Sequence, residues 1–137
     1  MKPELRQLVD ELAALPPLVG TDPTELRRLA EIGRHVRLPA HWTVVHEQTP
    51  GDTCYLVLSG EAEVRRDGEV VATLRRGALF GEAGVLDRHL RNASVVALTV
   101  LEVLSMQCAD LFALLERHPD LGDRLLADYR RRAAAAT

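Results

Sequence analysis

Apolar residues recur along this chain with two different periods, and the change of period divides it into three parts. Residues 4–14, ELRQLVDELAA, place Leu5, Leu8, Val9 and Leu12 at helical spacing. Pro16 and Pro17 close that helix. Asp22 opens a second one: Pro23 suits the first helical position, and Glu25 stands three residues after Asp22, as in a capping box. Leu26, Leu29, Ala30 and Ile32 or Gly33 make its buried stripe. From about residue 36 the period falls to two. TCYLVLSG, residues 53–60, reads as a strand ending in a glycine turn. EAEVRR and EVVATL flank Asp67-Gly68, which supplies the positive φ angles of a type I′ hairpin turn; in that pairing Val64 lies opposite Val71 on one face. Pro50-Gly51-Asp52 marks another turn, and the apolar run at 93–106 suits one or two buried strands. Helical spacing returns with Leu111, Leu114 and Leu115, up to His118 and Pro119. A last helix from about Asp120 carries Leu121, Leu125 and Tyr129 on one side, free to pack on its own barrel or to meet a partner.

Helices at both ends of a run of short strands with glycine turns make the class α+β: a jelly-roll-like antiparallel β-barrel flanked by N-terminal and C-terminal helices. At 137 residues the chain is expected to be a single domain, 1–137, with helices over 1–35, a barrel over 36–107 and helices over 108–137. A content of 47% hydrophobic and 27% charged residues is that of a globular protein. The net charge of −3 offers no broad footprint for a nucleic-acid backbone, so direct DNA binding is not expected, and Arg130 to Arg132 read as a solvated helix face. Cys54 and Cys108 fit no metal or disulfide spacing and are read as reduced, packed side chains of a cytoplasmic protein. There is no signal-peptide pattern and no apolar window long enough for a membrane span.

The stretch 77–94, GALFGEAGVLDRHLRNAS, is too long and too apolar for a plain connection between strands. Gly77 ends a strand, and Gly81 permits a tight, close-approach backbone. Residues 82–87 can form one helical turn whose amides suit an anion, and Gly84 leaves room for a ligand against the backbone. Arg91, with the Asn92 and Ala93 amides beside it, adds an arginine fork suited to a phosphate. Glu82 belongs in such a site if the ligand also donates a hydroxyl, and a cyclic ribose phosphate has both groups.

FGEAGVLDRHLRNAS resembles the phosphate-binding cassette of cyclic nucleotide-binding domains: Phe-Gly-Glu, a small residue (Ala83), two apolar residues, a variable stretch, then Arg, a small or hydroxyl residue, Ala, and Ser or Thr. GDTCYLVLSGEAEV and LEVLSMQCADLFALLERHPDL are similar to the family's flanking strands and helices, so the resemblance covers about residues 15–132. It implies a regulatory module of the catabolite-activator or protein kinase A regulatory-subunit type. Glu82 would accept the ribose 2′-hydroxyl, and Arg91 would pair with the cyclic phosphate. The amides of Gly84 and Asn92 would complete the phosphate shell, and Gly81 would allow the close approach. Val64 and Val71 would pack on the base or sugar, and Val85 would move with the helices. Asn92 departs from the usual small or hydroxyl residue at a position able to touch a guanine. Gln48-Thr49 stands where a glycine is usual. With Thr137 as the last residue given, no helix-turn-helix is expected, and the helical lid over the base is expected to be short or borrowed from a partner.

The expectation is therefore a sensor for cAMP rather than cGMP. It signals through a protein partner, or through self-association of the last helix, with no cofactor and no catalytic constellation. The alternative is an interaction module of the same fold that binds no nucleotide, with Glu82 and Arg91 as a structural ion pair. His41, His46 and Glu47 invite a metal, but odd spacings on a strand point to opposite faces. His35, His89 and His118 read as surface or capping residues, and Trp42 and Tyr55 as core aromatics.

Overall fold

The computed structural model describes residues 2–45, 52–81 and 93–136, without the side chains of 128, 129 and 132–136. Helix α1 spans Pro3–Ala13, a 3-10 turn Pro16–Leu18, and α2 Pro23–Ile32. Strands β1 (Gly33–Leu38), β2 (Thr43–Val45), β3 (Thr53–Ser59), β4 (Ala62–Arg66), β5 (Glu69–Leu74), β6 (Leu79–Gly81), β7 (Ser94–Ala97) and β8 (Leu101–Gln107) follow. Helices α3 (Cys108–Arg117) and α4 (Pro119–Ala136) complete the chain. The strands form two antiparallel sheets, ordered β1-β8-β3-β6 and β2-β7-β4-β5, in a jelly-roll-like sandwich.

Alternation along two strands explains the layering. On β3, Cys54, Leu56 and Leu58 face the helices, while Val57 faces the second sheet. On β8, Leu104 and Met106 face the helices, while Leu101 and Val103 face the sheet. Both strands are therefore apolar on both faces, which is why their sequences read as continuous hydrophobic runs. The helix layer fills its side with Leu12, Leu18, Leu29, Leu111, Leu121 and Leu125. Leu121 and Leu125 thus belong to the chain's own core and are not free for a partner.

Local signals hold where they are short-range. Asp22 caps α2 by accepting from the Thr24 amide at 2.7 Å. Asp67 and Gly68 both have positive φ, as a type I′ turn requires. Two expectations fail here. Glu25 does not close a capping box: its carboxylate lies 3.2 Å from His118 Nδ1, across the layer. Trp42 is not a core residue but 55% exposed, on the turn that leads into β2.

The cysteines are a further correction. Cys54 and Cys108 form a disulfide, with Cα atoms 5.4 Å apart. They are 54 residues apart in sequence, so no local spacing announces them. The β3–β8 ladder brings them together, because Cys54 pairs with Met106, two residues before Cys108.

Glu102 on β8 ties three strands of one sheet. It accepts from Ser59 Oγ of β3 at 2.9 Å and lies 3.1 Å from His35 Nε2 of β1. The Ser59 hydroxyl has the largest effect on its carboxyl and lowers it, burial opposes this, and His35 lowers it further, leaving it below the ordinary value of 4.5. A carboxyl depressed in the folded state adds stability above its unfolded pKa and loses it as the pH falls through the folded one. Ser59→Ala is therefore expected to be less stable than wild type at neutral pH and to converge with it in acid. Melting curves between about pH 7 and pH 3 would read this. A constant gap between the two curves would remove Glu102 from the acid response.

Candidate functional site

The stretch singled out in the sequence leaves the first sheet at Gly81 and rejoins the second at Ser94. Glu82, Ala83, Gly84, Val85, Arg91 and Asn92 lie outside the described residues, as does the expected helical turn at 82–87. The anchors on either side are described. Among the described residues strand β6 lies at the edge of its sheet and pairs with β3 alone: Leu79 with Leu56, Phe80 with Tyr55, Gly81 with Cys54. The Phe80 ring stacks on Tyr55 with centroids 5.1 Å apart, and burial raises the Tyr55 phenol. This aromatic pair buttresses the strand one residue before its last described position, Gly81. Gly81 has φ +134, and a Cβ there would strike the Thr53 carbonyl and lie 2.9 Å from Cys54 Cα. The close approach expected at Gly81 is thus an approach to β3, the strand beneath it.

On the far side Ala93 is buried between the sheets, and β7 pairs with β4 so that Ser94 meets Arg65 and Val95 meets Val64. The hairpin register differs from the expected one. Val64 pairs with Ala72, not Val71, because the ladder shifts between Val64 and Arg65, where Val70 is the next partner. Val64 is a core residue at 3% exposure. Val70 and Val71 stand 54% and 45% exposed on β5, an edge strand. A bulge of this kind re-aims side chains, and here it leaves two valines uncovered.

The helices around this region are held by specific contacts. His118 caps α3 through its amide to the Leu114 carbonyl, and its ring reaches Glu25 of α2. Arg124 of α4 donates to the Val19 carbonyl at 2.6 Å, and Arg76 donates to the Ala14 carbonyl at 2.7 Å. A cavity of about 440 Å³ lies between α4, the 3-10 turn and the β5–β6 turn, lined by Pro16, Pro17, Arg76, Gly77 and Ala127 among others. Part of α4 therefore stands off the barrel. Among the described residues no three His, Cys, Asp or Glu side chains converge as a metal site would require. His46 and Glu47 lie outside the described residues.

Two antiparallel sheets packed with helices from both ends of the chain have known relatives. The family model for the cyclic nucleotide-binding domain matches residues 35–118. The chain belongs to that family. The cAMP-dependent protein kinase regulatory subunit of Aspergillus fumigatus is 42% identical over 94 residues, which are 67% of this chain and 23% of that protein. The chain thus spans less than a quarter of that relative's length. The Thermus thermophilus catabolite activator protein superposes with a TM-score of 0.71 at 31% identity, covering 88% of this chain and 59% of that one. The cAMP-bound PfPKA-R superposes at 0.76 with 23% identity, covering 93% of this chain and 45% of that one, a likeness of fold.

In this cyclic nucleotide-binding domain, the described site residues divide into three groups. Gly81 and Ala93 are the described residues that flank 82–92. Val64 is packed in the core between the sheets. Val71 is surface, so Val64 and Val71 do not form one wall as a facing pair. Three features went unseen in the sequence: the Tyr55–Phe80 stack, the Glu25–His118 contact and the disulfide. Each joins residues distant in the chain. The hairpin bulge was also unseen, since nothing in EAEVRRDGEVVATL marks which strand takes the extra residue. No described helix is long and apolar enough to cross a membrane.

Proposed function

We propose that this domain is a regulatory module, not an enzyme, that binds a cyclic nucleotide and prefers cAMP to cGMP. The observation that carries this reading is the family match across residues 35–118, which contains Glu82 and Arg91 at the separation of a complete cassette. Arg91 pairs with the cyclic phosphate as a charged fork. The amides of Gly84 and Asn92 share the same anion, and Glu82 accepts the ribose 2′-hydroxyl. The exposed Val71 offers an apolar surface to the base, with Ala83 and Ala93 as the small neighbours that let the ligand approach. The exposure of Val70 and Val71 supports this role, since an uncovered apolar pair on an edge strand is suited to a flat ring.

The signal follows from the anchors. Ligand draws the cassette inward on the Gly81 hinge, Val85 moves with it, and the position of α3 and α4 shifts. A partner reads that shift, either another protein or a second copy meeting the C-terminal helix, in the cytoplasm. Because Leu121 and Leu125 are in the core, the partner engages the remaining faces of α4.

Calorimetric titration of the purified protein with cAMP and with cGMP tests the reading. Saturable heat with cAMP and a weaker response to cGMP is the expected result. Equal affinities would assign Asn92 no discrimination between the bases. No heat and no thermal shift with either nucleotide would leave an interaction module of this fold.

A further inference from the structure

We propose that the cavity between α4, the 3-10 turn and the β5–β6 turn is a binding site for a small organic phosphate, a phosphomonoester whose other end is an apolar ring. The lining carries the inference. Arg75 and Arg76 of the β5–β6 turn and Arg131 of α4 bring three guanidinium groups to one cavity, and among its described lining residues none is Asp or Glu. In a chain of net charge −3 this concentration of positive charge is local, and it favours an anion. Gly81, Ala93, Val64 and Val71, the described residues of the proposed nucleotide site, are not among the lining. The two sites are therefore separate in their described residues.

Specific contacts build the walls. Arg76 Nη2 donates to the carbonyl of Ala14, the C-cap of α1, at 2.7 Å. That bond orients a planar group with five N–H donors and uses one of them. Arg75 Nε lies 3.4 Å from Glu61 Oε1 with its side chain 70% exposed, a weak ion pair that a ligand can displace. At Gly77 the β5–β6 turn touches the 3-10 turn, since a Cβ there would lie 2.5 Å from Pro17 Cδ. The rings of Pro16 and Pro17, with Ala127 of α4, supply an apolar surface beside the arginines.

The class of ligand follows from charge and size. A carboxylate presents two oxygens and suits one guanidinium fork. A phosphomonoester presents three oxygens and carries close to two charges at pH 7, so it bridges arginines of different elements. A volume of about 440 Å³ is near the lower end of the roughly 300–1,000 Å³ of small-molecule sites, room for one ring beside the phosphate. Bound there, the ligand links α4 to the β5–β6 turn.

The probe is phenyl phosphate, titrated into the isotope-labelled chain, with inorganic phosphate, benzoate and phenol as comparisons. Amide shifts across 73–78 and 127–131 read the site. Phenyl phosphate is expected to bind with a Kd of about 1 mM, and each comparison about tenfold more weakly. Arg76→Gln should weaken phenyl phosphate about tenfold. Because that variant also loses the Ala14 contact, Ala127→Trp is the second: it keeps every arginine, fills the cavity from α4, and should abolish saturable binding with the melting temperature unchanged. Binding that survives Ala127→Trp would overturn the site. So would equal affinities for phenyl phosphate and inorganic phosphate, the mark of loose attraction to surface arginines. With cAMP added in excess the phenyl phosphate shifts are expected to persist; displacement by cAMP would make the cavity part of the nucleotide site and end the proposal. If cAMP itself binds nowhere, the nucleotide reading fails, while saturable phenyl phosphate shifts would still establish this site.

Discussion

Arg91→Ala is expected to weaken cAMP binding by about 2–5 kcal/mol, which takes a saturable titration out of the measurable range. The size follows from the surroundings of the charge. The domain carries a net charge of −3, and the cassette itself contributes Glu82. In the proposed site, a cyclic phosphate without Arg91 loses its counter-charge while the Glu82 carboxylate remains nearby in sequence. Arg91→Lys separates charge from geometry. It keeps the cation but loses the two parallel donors of the guanidinium, so its affinity should fall between wild type and alanine. Glu82→Gln should cost less than Arg91→Ala, because it removes a hydrogen bond to a neutral hydroxyl instead of the counter-charge to an anion. The check is calorimetry on the three variants beside wild type, with melting curves to show that each is folded. If Arg91→Ala binds cAMP within about threefold of wild type, the phosphate does not sit at Arg91 and the cassette reading fails.

How much of this was legible in the sequence depends on how far apart the deciding residues lie. The α2 start was readable because its cap and its first-turn proline occupy consecutive positions. The Asp67-Gly68 turn was readable because two adjacent residues determine it. The family resemblance was readable for the same reason: the glycines, acid and arginine that carry it fall within eleven residues, 81–91. The pairing of Val64 was not. It depended on register across the hairpin, and a single bulge moved the partner from Val71 to Ala72. The disulfide was invisible because the β3–β8 ladder, not any spacing, brings Cys54 to Cys108. Glu25 was misread because a tertiary partner, His118, displaced the local one. Trp42 was misread because size and apolarity alone do not place a residue in a core that leucines and valines already fill. Contiguous patterns were therefore legible and long-range contacts were not, which is why the family could be recognised before the register and the cross-layer contacts.

Gly81→Ala is the second large effect, and it joins fold to site. At φ +134 an L-residue is strained before any neighbour is considered. The neighbours add to this, since the new methyl would meet the Thr53 carbonyl and the Cys54 Cα. These are backbone atoms of β3, fixed by their own ladder to β8, and they cannot turn aside as a side-chain end would. The strand β6 must therefore lift. Strain and displacement together are expected to cost roughly 2–4 kcal/mol. For a chain of this length that is a fall in Tm of about 10 °C. Gly68→Ala is the control. Its φ is also positive, +82, but a Cβ there has nothing within 4 Å, so only the backbone strain remains, about 1 kcal/mol. The difference between the two variants isolates the contact with β3. Because Gly81 carries the cassette out of the barrel, lifting β6 also displaces Glu82, the next residue, from the sugar it is proposed to hold. Gly81→Ala should thus lose cAMP affinity even below its melting range, whereas Gly68→Ala should keep it. Equal Tm values for the two alanine variants would show that β3 yields to the methyl. Unchanged affinity in a destabilised Gly81→Ala would mean that the cassette takes its position from β7 and Ala93 rather than from β6.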